Sequence, residues 1–244
     1  MSRPLILVGS RQKLVRIAVV AELNGIEIAG ILDHHYYGQV DEIWGIPVIG
    51  DERWLLDATN NQATNWKNTC DFFVGNWNDG SQGLNRINLG ELRLTRINLI
   101  DGLGLNTINL IHPNSLKDVN SKYFNLRIGK GIFIDDDCWI DGTGNITIGD
   151  FCSINTGCTL THDVKLGRNV QLASEVFLYG CEVEDNVYFG MYSKINYKKQ
   201  LDVHNITIGQ NSTIWTGARV DKSVPAESIF TDNGRTFKKY KKNV

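Results

Sequence analysis

The chain has no apolar run approaching the roughly 18 residues that a membrane span requires. The apolar stretch Pro4 to Gly9 is too short for the core of a signal peptide, and no cleavage pattern follows it. No excess of one charge is present. The 25 basic and 27 acidic residues leave a formal net charge of −2, which argues against a surface that tracks nucleic-acid phosphates. The five cysteines contain no Cys-x-x-Cys pair and are odd in number, so reduced thiols in a cytoplasmic protein are expected. No His-Glu-x-x-His, carboxylate cluster or Cys/His spacing points to a metal, and no Gly-x-Ser-x-Gly to a serine hydrolase. The one basic cluster, Lys238, Lys239, Lys241 and Lys242, reads as a solvated tail rather than an anion-binding site.

What is present is a repeat. From Ile128 onward a large apolar residue returns every sixth position: Ile128, Ile134, Ile140, then Ile148, Ile154, Leu160, Leu166, Leu172 and Leu178. After a one-residue deletion it continues through Val183, Phe189 and Ile195, and after a longer insertion it resumes at Ile208, Ile214 and Val220. Four residues after most of these stands a small or β-branched side chain, as at Cys138, Cys152, Cys158, Val164, Val170, Val176, Val187, Ser193, Ser212 and Ala218. A period of six matches neither a helix nor a plain strand. It matches a three-sided coil in which each hexad supplies one short strand and one corner, with coils stacked as parallel strands about 4.8 Å apart. The register predicts five coils, at 128–147, 148–165, 166–182, 183–207 and 208–225. Cys138, Cys152 and Cys158 then fill the small-residue slot by packing alone, whereas Cys181 falls outside it.

Residues 1–112 read differently. Leu5 to Val8 forms a short strand ending at Gly9, and Leu14, Ile17, Ala18, Ala21 and Leu23 suit the apolar face of a helix. A second strand, Ile26 to Leu32, ends in Asp33, which completes half of a nucleotide-binding βαβ unit. Gly45 to Gly50 is a turn-bounded segment. Asp71 to Asn76 is a third parallel strand whose end, Gly75-Asn76, is a small-residue turn, Arg86 to Gly102 a helix, and Thr107 to His112 a last strand. Alternating strands and helices imply a parallel sheet. The first turn, Gly9-Ser10-Arg11-Gln12-Lys13, lacks the Gly-x-Gly-x-x-Gly fingerprint, and two readings stay open. Either the helix N-terminus holds a phosphate with help from Arg11 or Lys13, or the turn is an ordinary tight one. His34 and His35 likewise either touch a nucleotide or substrate, or are solvated turn residues; His112 before Pro113 reads as structural.

Together the two halves resemble the sugar acyltransferase family that includes sialic acid O-acetyltransferases and UDP-4-amino-sugar N-acetyltransferases. The resemblance rests on the Rossmann-like half, the hexads, the Gly-x-Pro-Val-x-Gly element at Gly45 to Gly50, and Leu110-Ile111-His112-Pro113. It implies an α/β N-terminal domain (1–112), a link (113–127), a left-handed parallel β-helix (128–225) and a C-terminal tail (226–244). It also implies a homotrimer with sites between neighbouring β-helices, acetyl-CoA as acyl donor, and a sugar or nucleotide-sugar acceptor. The segment Leu160-Thr161-His162-Asp163-Val164-Lys165-Leu166-Gly167 matches the family's catalytic hexad, making His162 the general base and Asp163 its acid. Eighteen residues on, Gly180 stands where the family turns a backbone N–H toward the thioester. Gln171 replaces the second histidine that often lies near acetyl-CoA, nine residues past the base. Read from the strand ends and turns of the first half, Gly9, Ser10, Arg11, Asp33, His34, Gly75 and Asn76 are the candidate substrate-binding residues.

The residues support the chemistry separately. Thioester acyl transfer needs a base for the nucleophile's proton and donors for the developing oxyanion, and a neutral imidazole is suited to the first task near pH 7. His162 lies two residues past an inward-facing leucine, which places it outward at a corner. The insertions at Thr143 to Thr147 and at Tyr197 to Thr207 follow third hexads, the side of the prism that carries His162, and loops that interrupt a regular scaffold often shape sites. Lys198, Lys199 and His204 on the second loop are candidate partners for CoA phosphates. The competing expectation is a non-catalytic nucleotide-sugar-binding or scaffold β-helix, favoured by the altered first turn and by Gln171.

Overall fold

A computed structural model of the chain describes residues 3–9, 14–75, 86–116, 125–142, 144–195 and 206–239. The chain divides into two compact units, Met1–Leu110 and Ile111–Val244.

In the first unit, β1 (Leu5–Val8) is central and fully buried, because all four of its residues are apolar and both faces of the sheet are covered. It pairs in parallel with β2 (Ile28–Leu32) on one side; β3 (Glu42–Ile43) and β4 (Ile46–Gly50) extend that side, and β5 (Asp71–Val74) lies on the other, giving the order β3-β4-β2-β1-β5. Only β3 is antiparallel to its neighbour. Helix α1 (Leu14–Leu23) buries Leu14, Ile17, Val20 and Ala21, a spacing of three and four. Leu23, expected on that face, is about half exposed. A helix not foreseen from the sequence, α2 (Asn61–Thr69), starts where the Asn60 side chain accepts the N–H of Ala63 at 2.9 Å. Helix α3 (Arg86–Gly102) turns Arg93, Arg96, Ile97 and Ile100 inward. The expected last strand, Thr107 to His112, is shared out differently. Thr107 bridges Phe72 of β5, while Leu110–Ile111 begins an edge of the second unit's longest sheet and the His112 N–H donates to Ile134 at 2.8 Å. His112 itself is buried, with Nδ1 3.1 Å from Asp136.

The second unit is a parallel β-helix with three faces. The first face stacks Leu126–Ile128, Ile146–Ile148, Lys165–Leu166, Cys181–Val183 and Ile206–Ile208. The third stacks Trp139–Ile140, Thr159–Leu160, Phe177–Leu178, Lys194–Ile195 and Arg219–Val220. Between them the second face carries Phe133–Ile134, Ser153–Ile154, Gln171–Leu172, Tyr188–Phe189, Thr213–Ile214 and Ser228–Phe230, all parallel, with Thr236–Lys238 added antiparallel at the end. The six-residue beat is therefore the register itself. Ile148 pairs with Ile128 and Leu166, Leu172 with Ile154 and Phe189, and Leu160 with Ile140 and Leu178. These side chains and the small-residue slots form one continuous core.

Corners explain the slots. Asp137, Phe151, Asp163, Asn169, Glu175, Asn186, Tyr192 and Asn211 all have φ between 55° and 61°, and each directly precedes a buried slot residue. That left-handed turn swings the chain through the corner and points the next side chain inward. Cys181, expected outside the slot, occupies it: counted back from Val183 it stands where Val164 stands before Leu166, and the missing residue has been taken from the corner. All five cysteines are free and buried. Burial pushes the Cys138 and Cys181 thiols up to about 12. Neither is expected to react with a disulfide reagent in the folded protein, and full titration should require denaturant.

The expected solvated tail is corrected in part: Lys238 is exposed, but the segment is a strand and Lys239 is partly buried. Residues 228–230 and 236–238 form the terminal pair of strands, and Lys239 folds back, donating from Nζ to the Asn211 carbonyl and from its N–H to Glu227 at 2.7 Å. Burial holds the Lys239 ammonium below its usual range, against a smaller opposing pull from Glu227. Lys241 and Lys242 lie outside the described residues.

Candidate active site

His162 follows the third-face strand Thr159–Leu160 and stands at the corner leading to the first face. Its side chain is 40% exposed. Asp163 is the left-handed residue of that corner, φ 60°, a conformation that aspartate tolerates better than most residues. The turn bends the chain back enough for adjacent side chains to meet, with Asp163 Oδ2 3.0 Å from His162 Nδ1. The hydrogen bond from His162 holds the Asp163 carboxyl below the usual carboxylate range; the charge of His162 and hydrogen bonds from the backbone and side chain of Asn145 add to this, while slight desolvation opposes it. Asp163 is thus an acceptor, so in the neutral form of His162 the proton sits on Nδ1 and the Nε2 lone pair points outward.

That lone pair has a partner. Tyr179 Oη, one coil on, is 2.8 Å from His162 Nε2, and the two rings meet edge-on with centroids 4.6 Å apart. The first insertion reaches the same corner: a methyl group at Gly144 would lie 2.2 Å from His162 Cβ and 2.6 Å from Cα. Gly144 lets the loop lie flat against the histidine's backbone, and Asn145, which accepts from Asn125, steadies Asp163. Gly180 occupies the next corner, with φ 48° and open space where a side chain would begin among the described residues. Its N–H donates to the His162 carbonyl at 3.3 Å, so that amide is engaged within the coil. Gln171 lies on the second face between Ser153 and Tyr188, not at the corner of His162. The loop residues Lys198, Lys199 and His204 lie outside the described residues.

In the first unit, Gly9, Asp33 and Gly75 close the carboxyl ends of β1, β2 and β5, three adjacent parallel strands, with His34 next to Asp33. Ser10, Arg11 and Asn76 lie outside the described residues. The group is organised around two arginines of α3. Arg93 donates to the carbonyls of Val74 at 3.1 Å and Gly75 at 2.9 Å. Arg96, with 3% of its side chain exposed, donates from Nε to Glu52 at 2.9 Å, and its Nη2 is 3.2 Å from Asp33 without aligning as a hydrogen bond. The guanidinium lies against Gly9, where a methyl would fall 1.9 Å from Nη1. His34 is not a solvated turn residue: its N–H and Nδ1 both meet the Glu52 carboxylate at 2.6 Å. Burial would raise the Glu52 carboxyl, but the charge of Arg96 and hydrogen bonds from His34 and Arg96 hold it below its ordinary value. Asp33, His34 and Glu52 place ligand-type atoms within 4.8 Å of one another. Arg96 already supplies the positive charge there, so the donor set suits an ion pair rather than a metal ion.

No known family model matches the chain. Solved structures share its fold along nearly its whole length. A perosamine N-acetyltransferase from Caulobacter crescentus, a histidine-to-asparagine variant in complex with CoA and GDP-perosamine, is 20% identical; the match covers 96% of each chain with a TM-score of 0.73. The acetyltransferase domain of PglB from Neisseria gonorrhoeae, in complex with acetyl coenzyme A, is 18% identical over 96% of this chain and 98% of that one, with a TM-score of 0.72. WeeI from Acinetobacter baumannii is 18% identical over 96% and 99%, with a TM-score of 0.68. The fold is that of these acetyltransferases.

Proposed function

We propose that the protein is an acyl-CoA-dependent acyltransferase, most naturally an acetyltransferase, acting on an amino or hydroxyl group of a sugar or nucleotide-sugar. The observation that carries this reading is the corner imidazole: His162 with Nδ1 bound to an ionised Asp163 and Nε2 directed outward, on a fold held in common with CoA-bound sugar N-acetyltransferases. His162 Nε2 takes the proton of the acceptor N–H or O–H while Asp163 stabilises the imidazolium that forms. The donor supplies the thioester: the nucleophile bonds to its carbonyl carbon, the carbon–sulfur bond breaks, and the proton held on Nε2 passes to the departing thiolate. Among the described residues nothing lies where a Gly180 side chain would begin, and this corner, one coil on from His162, is the proposed place of the thioester.

The carboxyl edge of β1, β2 and β5 is the proposed seat of the acceptor's nucleotide, with Gly9, Ser10, Arg11, Asp33, His34, Gly75 and Asn76 as its lining and the first unit as a Rossmann-like domain. Asp33 and His34 are largely spoken for by Arg96 and Glu52, so their part is to hold the edge in shape. A left-handed coil, a homotrimer and a cytoplasmic location complete the proposal; among the described residues no helix is long and apolar enough to cross a membrane. Gln171, on a face other than that of His162, is proposed to meet CoA held against a neighbouring subunit.

Incubation with a panel of acyl-CoAs and nucleotide-linked amino sugars, read by mass spectrometry, tests the activity. No acyl transfer together with no heat of acyl-CoA binding would instead establish the scaffold reading, which the engaged Gly180 amide favours. A Gly144→Ala variant is expected to push His162 out of line and lower kcat/KM on the order of 10²-fold, since small misplacements of a reacting group cost that much. Because the methyl also overlaps the backbone of His162, a lower melting temperature should accompany the loss.

A further inference from the structure

We propose that Tyr179 is a cap on the base: its hydroxyl occupies the Nε2 of His162 in the resting protein and competes with the acceptor for that atom. The inference rests on the acyltransferase reading and adds a residue to it. In the neutral imidazole, with Asp163 accepting from Nδ1, Nε2 is left as the acceptor and the tyrosine O–H 2.8 Å away is its donor. An acceptor amine or alcohol must present its own hydrogen to that same lone pair. Two donors cannot share it, and the tyrosine hydroxyl marks the place where the nucleophile has to stand.

The location of Tyr179 follows from the irregular hexad. Between Leu178 and the slot residue Cys181 the corner holds two residues, Tyr179 and Gly180, where the preceding coil holds Thr161, His162 and Asp163 between Leu160 and Val164. The shortened corner brings the side chain at position 179 against the His162 ring, where the edge-on contact seats it, while Gly180 meets the His162 carbonyl. A neutral hydrogen bond at a half-exposed site is weak in net terms. The cap is therefore displaced by an acceptor that brings an equivalent donor, and it tunes acceptor affinity rather than forbidding the reaction.

The test is Tyr179→Phe, which keeps the ring and deletes the hydroxyl. Carbethoxylation of His162 by diethyl pyrocarbonate, mapped on the peptide by mass spectrometry, is expected to run about fivefold faster in the variant, the size of one lost hydrogen bond. With an acceptor identified, the variant should show a lower acceptor KM and a correspondingly higher kcat/KM. Unchanged labelling of His162 would overturn the cap. A fall in kcat of about a hundredfold would also overturn it, because the hydroxyl would then be relaying the proton. The labelling arm needs no turnover: faster labelling in a protein that transfers no acyl group would support the cap while the activity assignment fails.

Discussion

Replacing His162 by Ala is expected to reduce acyl transfer by about 10² to 10⁴-fold, the usual contribution of a positioned general base, with the loss in kcat rather than in acyl-CoA affinity. The fold should survive. His162 is an outward corner residue, whereas the core below it is made by Leu160, Val164 and Leu166. Circular dichroism and the melting temperature of the variant should match the parent's. Turnover within tenfold of normal in His162→Ala would remove the base from the mechanism.

Arg96→Met is expected to destabilise the first unit by about 3–5 kcal/mol at pH 7, because it leaves two buried carboxylates, Asp33 and Glu52, without their common cation. The described helices α1 to α3 all lie in that unit, so urea unfolding followed at 222 nm reports it. The pH dependence has a definite sign. In the parent the Glu52 carboxyl is held low, so its contribution is present above the unfolded-state value and fades as pH falls through the folded one. Without Arg96 burial dominates, the carboxyl rises, and the variant gains relative stability on acidification. The gap between parent and variant should narrow from pH 7 to pH 4. A gap that stays constant would mean that Arg96 acts through packing alone.

The β-helix was legible because each inward residue of the hexad pattern pairs with the inward residue one coil away; Ile154 under Ile134 and Leu172 is one instance. The corner position of His162 followed from the same count. Tyr179 did not, because its contact is made across coils and the offset is 17 residues at the shortened corner rather than 18. Cys181 escapes the pattern for the same reason: four residues past Leu178 stands Glu182, and only the spacing back from Val183 puts Cys181 in the slot. Arg96 was hidden because a charged residue on a helix reads as a solvent face, and nothing in the spacing announces two carboxylates on neighbouring segments. Helix α2 is so polar that only Ala63 and Trp66 are buried, which leaves no apolar period to find. Phe230 falls ten residues after Val220 and so breaks the beat, although Ser228–Phe230 pairs in register with Thr213–Ile214.

The reversed direction of Thr236–Lys238 gives the stack a terminus. Identical rungs laid one on another contain no instruction about where to stop, and the last one offers bare amide and carbonyl groups to any chain that passes. On the second face the antiparallel strand takes up that edge, its backbone paired with Ser228–Phe230. Shearing off the final hairpin should therefore convert a self-limiting ladder into a nucleus for end-to-end association.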